Sequence, residues 1–279
     1  MNKTYLDTAR MLVQVAPLVF RDSPFSLKGG TAINLFVRDM PRLSVDLDLV
    51  FTDHRLAREA ALASINNALA AAADRLKAHR FTVRLQAAAD TGDTKLFVRR
   101  DKIEVKIEAN FVLRGTVHPV RTASLTTKAR EALQAEVEIP VVADEDLYAG
   151  KLVAALDRQH PRDLFDVMQL LANGGITPEM RRTFAIYLAC HNRPIHELLT
   201  PAPRDISQEY ERTFAGMTSE PVARCQTCSP HASRWFPICA PVWIPMIASS
   251  FFLSHVQSLT GRGRRTLMRM SCRPCSGSS

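Results

Sequence analysis

The sequence predicts an α+β fold, in which strands and helices alternate up to about residue 142 and helices alone follow. Two kinds of pattern support this expectation. Residues 43–51 and 103–113 alternate strictly between apolar and polar side chains, as half-buried strands do. Residues 5–20 instead carry apolar side chains at helical spacing. With 279 residues, 46% of them apolar, the chain can bury a core without disulfides.

The remaining elements follow in chain order. A short strand at 25–27 leads through Gly29 and Gly30 into a helix over 31–37, and an Ala/Leu-rich helix is expected over 55–78. The other strands are expected at 81–85, 95–99 and 137–142. In the helical part, Asp144 is expected to cap a helix over 145–158, and Pro161 and Pro178 to begin helices reaching 172 and 190.

Charge and composition change sharply near residue 223. Residues 224–279 contain seven Arg, five of the six Cys and no Lys, Asp or Glu, whereas the preceding part has a net charge of only +1. We therefore expect a core at 1–142, a helical domain at 143–223, and an atypical basic tail rich in Cys, Pro and Ser at 224–279.

Several interpretations of this tail remain open. The pairs Cys225/Cys228 and Cys272/Cys275 have zinc-ligand spacing within each pair, but the 43 residues between them exceed the separation in a zinc ribbon. Residues 235–254 carry no charge, but three prolines disfavour a membrane helix. A basic arm for RNA is a further alternative. We favour an out-of-frame or disordered C-terminus, because a long stretch without acid is rare at ordinary usage.

Two carboxylates lie on one face of the first alternating strand. Asp46 and Asp48 are two residues apart, about 7 Å along a strand, a span that a hard cation can bridge. Oxygen ligands favour Mg²⁺ or Mn²⁺ over zinc, and Glu108 on the second alternating strand can supply a third carboxylate. The alternative is a solvated strand face without a metal.

The glycine turn favours the metal interpretation. Gly29 and Gly30 open a helix, whose unpaired N–H groups and positive dipole end suit a phosphate, and Thr31 can donate a hydroxyl. A phosphate-binding turn followed 15 residues later by an Asp-x-Asp pair indicates a site that binds NTP through Mg²⁺.

Three segments resemble the motifs of a known family. Residues 25–36 (FSLKGGTAINLF) with 41–51 (PRLSVDLDLVF) resemble the first motif of the AbiEii/AbiGii nucleotidyltransferase toxins, which include the mycobacterial MenT toxins. Lys106-Ile-Glu108 with Asn110-Phe111 is similar to the second motif, and Lys151, Arg158 and Arg162-Asp163-Leu-Phe-Asp166 are similar to the third.

The resemblance implies a DNA polymerase β-like core with a mixed sheet, followed by a helical domain. It implies transfer of a nucleotide from NTP to an acceptor, notably the tRNA 3′ end, with Mg²⁺ or Mn²⁺ as cofactor and a protein antitoxin as partner. The implied metal ligands are Asp46, Asp48 and Glu108, and Glu104 lies on the same face of its strand as Glu108. The residues implied to bind nucleotide are Lys28, Gly29, Gly30, Thr31, Ser44 and Lys151, and Asp163 is the implied acidic residue of the second domain.

The third motif also has a structural interpretation. Lys151 and Arg158 share one helical face, and Asp163 and Asp166 share a face of the next helix, so these side chains can form an interhelical salt-bridge network. The alternative function is a catalytically impaired family member that binds nucleotide or an antitoxin. The first 20 residues lack the features of a secretory signal, so we expect a cytoplasmic protein without a membrane segment.

Overall fold

The computed structural model describes residues 1–87, 93–110 and 114–219. Within these residues, seven strands form one sheet in the order β3-β4-β5-β2-β1-β7-β6. The strands are β1 (Phe25–Lys28), β2 (Asp46–Phe51), β3 (Thr82–Ala87), β4 (Asp93–Arg100), β5 (Ile103–Asn110), β6 (Arg121–Ser124) and β7 (Glu138–Val141). The sheet is mixed, because β2 pairs with β5 in parallel and with β1 antiparallel.

The helices are α1 (Lys3–Phe20), α2 (Gly29–Thr31), α3 (Arg58–Ala78), α4 (Thr127–Leu133), α5 (Asp144–Arg158), α6 (Pro161–Ala172), α7 (Pro178–Ala189), α8 (Ile195–Leu199) and α9 (Ser207–Thr213). Helix α2 continues as a π-helical segment, Ala32–Val37. The prolines at the starts of α6 and α7 fit the first turn, where no intrahelical N–H bond is lost. The α+β fold expected from the sequence is therefore confirmed.

Some boundaries differ from expectation for identifiable reasons. Asp144 is the first residue of α5 and not its cap, a position taken by Ala143. Strand β2 begins at Asp46 and not at Leu43, because the Leu43 N–H donates to the carbonyl of Met217, away from the sheet. Strand β6 and helices α4, α8 and α9 are short elements without a clear periodic pattern, and they were not expected.

The sheet has one apolar and one polar face around β2 and β5. Leu47 and Leu49 on β2, and Val105 and Ile107 on β5, are fully buried beneath helices that include α1. On the opposite face, Asp46 and Asp48 of β2 and Lys106 and Glu108 of β5 are polar and half-buried. Burial of the apolar set fixes the register, because a slip of one residue would place that set in solvent.

Helices α5 to α7 form a second apolar core. Its fully buried members include Leu152, Phe184 and Phe214, from α5, α7 and the end of α9. None of the helices in the described part of the chain is long and apolar enough to cross a bilayer. The domain boundaries stay a prediction, and the tail from 224 to 279, with its two Cys-x-x-Cys motifs, lies outside the described residues.

Candidate active site

The register of β2 and β5 brings three carboxylates to one face of the sheet. Asp46 lies opposite Lys106, and Asp48 lies opposite Glu108, in a parallel ladder. Residues directly opposite in a ladder share a face, and alternate residues of each strand also share it. Glu104 lies further along β5, where it is opposite Arg99 of β4. Glu108, and not Glu104, is thus the neighbour of Asp48.

The glycine turn packs directly against one of these carboxylates. Strand β1 ends with Lys28 opposite Asp48, and Gly29 follows with a φ of +76°. A Cβ added at Gly29 would lie only 2.2 Å from Oδ2 of Asp48. Glycine is required there for its backbone conformation and for this close approach. The turn and the carboxylate pair therefore form one continuous site.

Thr31 and Ser44 connect the turn to the strand. The Thr31 Oγ1 lies 2.8 Å from the Ser44 Oγ and within hydrogen-bonding distance of the Asp46 carbonyl oxygen. Both side chains are buried. These bonds hold the start of the helix against the beginning of β2, so Thr31 contributes to the geometry of the turn from inside the protein.

Basic side chains surround the carboxylate face. Asp46 pairs with Arg162, with 3.1 Å between Nη1 and Oδ2, and Lys106 lies 3.9 Å from its other oxygen. Glu108 accepts from Lys95 at 3.1 Å and from Lys106 at 3.3 Å. Burial alone would raise the pKa of Glu108, but these two ammonium groups hold the pKa below its usual value.

Asp48 is in a different environment. Burial raises the pKa of Asp48, the nearby Lys28 opposes this shift, and the negative charges of Asp46 and Glu108 add to it. A buried carboxylate beside two others is stabilised by a cation that neutralises the set. Asp48 is consequently the member of the three with most to gain from a bound cation.

The donor chemistry of this face fits Mg²⁺ or Mn²⁺, because every available ligand is a carboxylate oxygen. Among residues 1–87, 93–110 and 114–219, no three His, Cys, Asp or Glu side chains gather as a ready-made metal cluster. In this structure Asp46 and Glu108 form ion pairs with the basic side chains of Arg162 and Lys95. A cation bound by all three would replace those side chains.

Lys151 and Asp163 lie at the buried junction of α5 and α6. The Lys151 Nζ is 2.8 Å from Asp163 Oδ1 and 3.1 Å from Asp166 Oδ2. Arg158 also pairs with Asp163, through Nε and Nη2. Lys151 and Arg158 lower the pKa of Asp163 far below its usual value, although burial opposes this. The salt-bridge network expected from the spacing is present.

Arg42 completes this network and was missed in the sequence. It is only 1% exposed, and its Nε and Nη2 bind both oxygens of Asp166, at 2.8 and 2.6 Å. Asn34 bridges Asp166 and the Gly30 carbonyl, at 3.0 and 2.9 Å. The network thereby ties the helical part to the glycine turn. The sequence signal for Arg42 was its position directly before an apolar strand, and an arginine at such a position is normally solvated.

Arg162 has a different partner from the one that the family resemblance implies. The resemblance places it with Arg158 and Asp166 in the network that holds the site, but its guanidinium contacts Asp46 on β2. Its backbone N–H is held by His160 Nδ1, the side-chain cap of α6. The first turn of α6 thus directs Asp163 into the junction and Arg162 toward the carboxylate face.

A mixed sheet that carries an Asp-x-Asp pair against a glycine turn, with a helical unit behind it, defines the nucleotidyltransferase class. A family model described as "Nucleotidyl transferase AbiEii toxin, Type IV TA system" matches residues 10–234. The chain belongs to this family of NTP-dependent nucleotidyltransferase toxins. The match extends eleven residues beyond 223, where the composition changes.

Solved structures support the fold. The chain is similar to MenT4, a nucleotidyltransferase toxin from Mycobacterium tuberculosis H37Rv, with a TM-score of 0.55 and 16% identity, over 90% of this chain and 84% of that one. It also aligns with the structure of the GLD-2/RNP-8 complex, with a TM-score of 0.26 and 14% identity, over 94% of this chain and 91% of that one. A search of curated proteins gives no match.

Proposed function

We propose that this toxin is an Mg²⁺-dependent nucleotidyltransferase that transfers a nucleotide from NTP to the 3′ end of tRNA. The observation that carries the proposal is the contact between the glycine turn and Asp48, in which the Gly29 Cβ position falls 2.2 Å from a carboxylate oxygen. Phosphate-binding N–H groups and metal-binding carboxylates within one contact can hold the same triphosphate.

The residues have separate roles in this proposal. Asp46 and Asp48, joined by Glu108, hold Mg²⁺ (or Mn²⁺), which neutralises charge on the reacting phosphates. Lys28, Gly29 and Gly30 bind the triphosphate, and Thr31 and Ser44 fix the turn from below.

Lys151 and Asp163 act together in the junction behind the turn. The proposed contact of Lys151 with the triphosphate requires its ammonium to leave one of its two aspartate partners. The network also couples the junction to the turn through Arg42 and Asn34. Positioning and charge neutralisation are most of what phosphoryl transfer requires of a protein.

The acceptor and partners follow from the family. The resemblance to the mycobacterial toxins implies tRNA as acceptor, whose terminal ribose hydroxyl would attack the α-phosphate and displace pyrophosphate. Membership of a toxin-antitoxin family implies a cognate antitoxin protein that neutralises the activity. Both NTP and tRNA are cytoplasmic, so we assign the protein to that compartment.

The test is incubation of the purified protein with each labelled NTP in turn, Mg²⁺ and total tRNA. We expect label on tRNA with at least one NTP, loss of labelling with EDTA, and loss when the tRNA 3′ diol is first oxidised with periodate. Asp46→Ala should abolish labelling. Transfer that survives periodate oxidation would contradict the 3′ end, and NTP binding without transfer to any RNA would favour a purely binding role.

A further inference from the structure

The polar face of the sheet continues from the carboxylates to the edge strand β3 as a basic surface. We call the residues that form it the basic face: Arg84, Lys95, Phe97, Arg99 and Lys106. Arg84 lies opposite Phe97, Phe97 opposite Lys106, and Lys106 opposite Asp46. This row crosses four adjacent strands on one face, so it leads from the exposed edge directly to the metal-binding pair, over about 14 Å.

The members of the basic face are accessible. Arg84 and Arg99 are exposed, and the other three are half-buried. The opposite face of β4 and β5 is the apolar one, where Leu96, Val98 and Ile107 are fully buried. The basic face is therefore not the packing surface of these strands.

Arg84 is held over the open surface by an aromatic ring. Its guanidinium carbon lies 4.1 Å from the centroid of the Phe97 ring. This cation–π contact restrains a long side chain that would otherwise move freely. A planar guanidinium fixed above a sheet offers a surface on which an unpaired nucleobase can stack.

The charge of the surface suits a polyanion. Four of the five members of the basic face carry a positive charge. Two acidic residues of β5, Glu104 and Glu108, lie between them on the same face, and Glu108 is already paired with Lys95 and Lys106. A basic groove with stacking groups is the arrangement that single-stranded nucleic acid requires.

The direction of the reaction selects the same side. In an in-line displacement the attacking oxygen and the leaving pyrophosphate lie on opposite sides of the transferred phosphorus. The glycine turn follows β1, on one side of β2, whereas β5, β4 and β3 lie on its other side. A triphosphate seated on the turn leaves the basic face as the approach for the acceptor.

We infer that the basic face binds the single-stranded 3′ end of the acceptor RNA, with Arg84 stacking on a base and Arg99 contacting phosphate. This inference rests on the proposed function, because it assumes an RNA acceptor. It adds the surface that selects a single strand and the residues that hold it.

The test compares Arg84→Ala, Arg99→Ala and their double variant with Arg182→Ala, a matched control. Arg182 is an exposed arginine on α7 that pairs only with its neighbour Glu179, 2.6 Å away, in the described part of the chain. Affinity for a fluorescent single-stranded RNA ending in CCA is measured by anisotropy over a range of salt, and affinity for a fluorescent NTP analogue on the same samples.

We expect each single variant to weaken RNA binding about tenfold, in line with the loss of one stacking contact or one phosphate contact. The slope of log binding constant against log salt concentration should become shallower by about 0.7 for each phosphate contact removed. Arg84→Lys should keep that salt dependence but not the affinity, since an ammonium does not stack. NTP affinity and the control variant should match the unaltered protein.

The outcomes separate this inference from the proposed function. If the unaltered protein labels tRNA and the double variant keeps its RNA affinity and its KM for tRNA, the inference is wrong and the function stands. If the double variant binds the antitoxin more weakly but keeps its RNA affinity, the basic face is a protein-binding surface and the inference is wrong. If no RNA is labelled by the unaltered protein, the proposed function fails, whatever the anisotropy shows.

Discussion

The Nζ of Lys151 lies 2.8 Å from Oδ1 of Asp163, and both side chains are almost completely buried. A second aspartate, Asp166, is 3.1 Å from the same nitrogen. Removal of the ammonium would leave two buried carboxylates with less compensation, which is the costly way to break a buried ion pair.

We therefore predict that Lys151→Met lowers the free energy of unfolding by about 3–5 kcal/mol. Arg158→Met is the comparison, because Arg158 pairs with the same Asp163 but its side chain is 58% exposed. Its loss should cost about 1 kcal/mol or less. Equal losses in urea unfolding of the two variants would show that burial does not set the strength of this network.

The contact of Lys151 with the triphosphate is measured on the same samples. If Lys151 neutralises charge on the leaving pyrophosphate, Lys151→Met should also lose about a hundredfold in rate per folded molecule, roughly 2.7 kcal/mol, and bind NTP more weakly. Unchanged NTP affinity per folded molecule would restrict Lys151 to the structural role.

The buried aspartates also predict a dependence of stability on pH. Burial alone would raise the pKa of both aspartates, but basic neighbours lower it in the folded protein. Lys151 and Arg158 lower the pKa of Asp163, and Arg42 and Lys151 lower the pKa of Asp166. A carboxyl group whose pKa is lower in the folded than in the unfolded state stabilises the protein at pH values above the unfolded pKa, near 3.9. This stabilisation is lost as the pH falls below that value. The free energy of unfolding should therefore be constant near pH 6 and fall steeply below about pH 4. Asp166→Asn should be less stable at pH 6 but show a shallower acid limb, and parallel curves would contradict this assignment.

The site could be predicted where local patterns determine it. Alternation along residues 43–51 and 103–113 places Asp46, Asp48 and Glu108 on the polar faces of their strands. The parallel register that puts Asp48 beside Glu108 comes from the structure and not from the alternation. The glycine turn was visible because only glycine suits its backbone.

The long-range partners could not be predicted in this way. Arg42 and Asp166 are 124 residues apart in sequence, and no periodicity links them. Arg162 reaches Asp46 across 116 residues because α6 begins beside the sheet, which depends on the packing of α5 and α6. Such pairs depend on tertiary geometry, and the pattern of a single element carries no signal for them.

Asp48 is the carboxylate whose removal should stabilise the protein. Burial raises its pKa, with a further contribution from Asp46 and Glu108, so its ionised form disfavours folding at neutral pH. Asp48→Asn should raise the melting temperature at pH 7, by about 2–4 °C for each kcal/mol gained. The difference should shrink as the pH falls toward the unfolded pKa near 3.9, since the unfolded carboxyl then loses its charge too.

The same variant should lose a ligand for the cation. Mn²⁺ binding, followed by electron paramagnetic resonance, should weaken in Asp48→Asn, and nucleotide transfer should be lost. Asp74→Asn is a suitable control, because Asp74 is an exposed carboxylate whose contact is Lys77, three residues along α3. A less stable Asp48→Asn protein would show that Asp48 contributes a structural contact.

Gly29 and Gly175 allow backbone strain to be separated from steric contact. Their φ angles are +76° and +75°, but a Cβ at Gly29 would fall 2.2 Å from Asp48 Oδ2, whereas a Cβ at Gly175 has no atom within 4 Å. Gly175→Ala should therefore cost only the left-handed conformation, about 1–2 kcal/mol, and leave transfer unchanged. Gly29→Ala should cost more, because the added methyl must displace the Asp48 carboxylate, and Mn²⁺ binding and transfer should fall with it.

Urea unfolding, Mn²⁺ binding and tRNA labelling are measured on both variants. If the two lose the same stability and both retain Mn²⁺ binding, the turn does not press against the carboxylate in solution, and the continuity between the phosphate-binding turn and the metal-binding pair is lost.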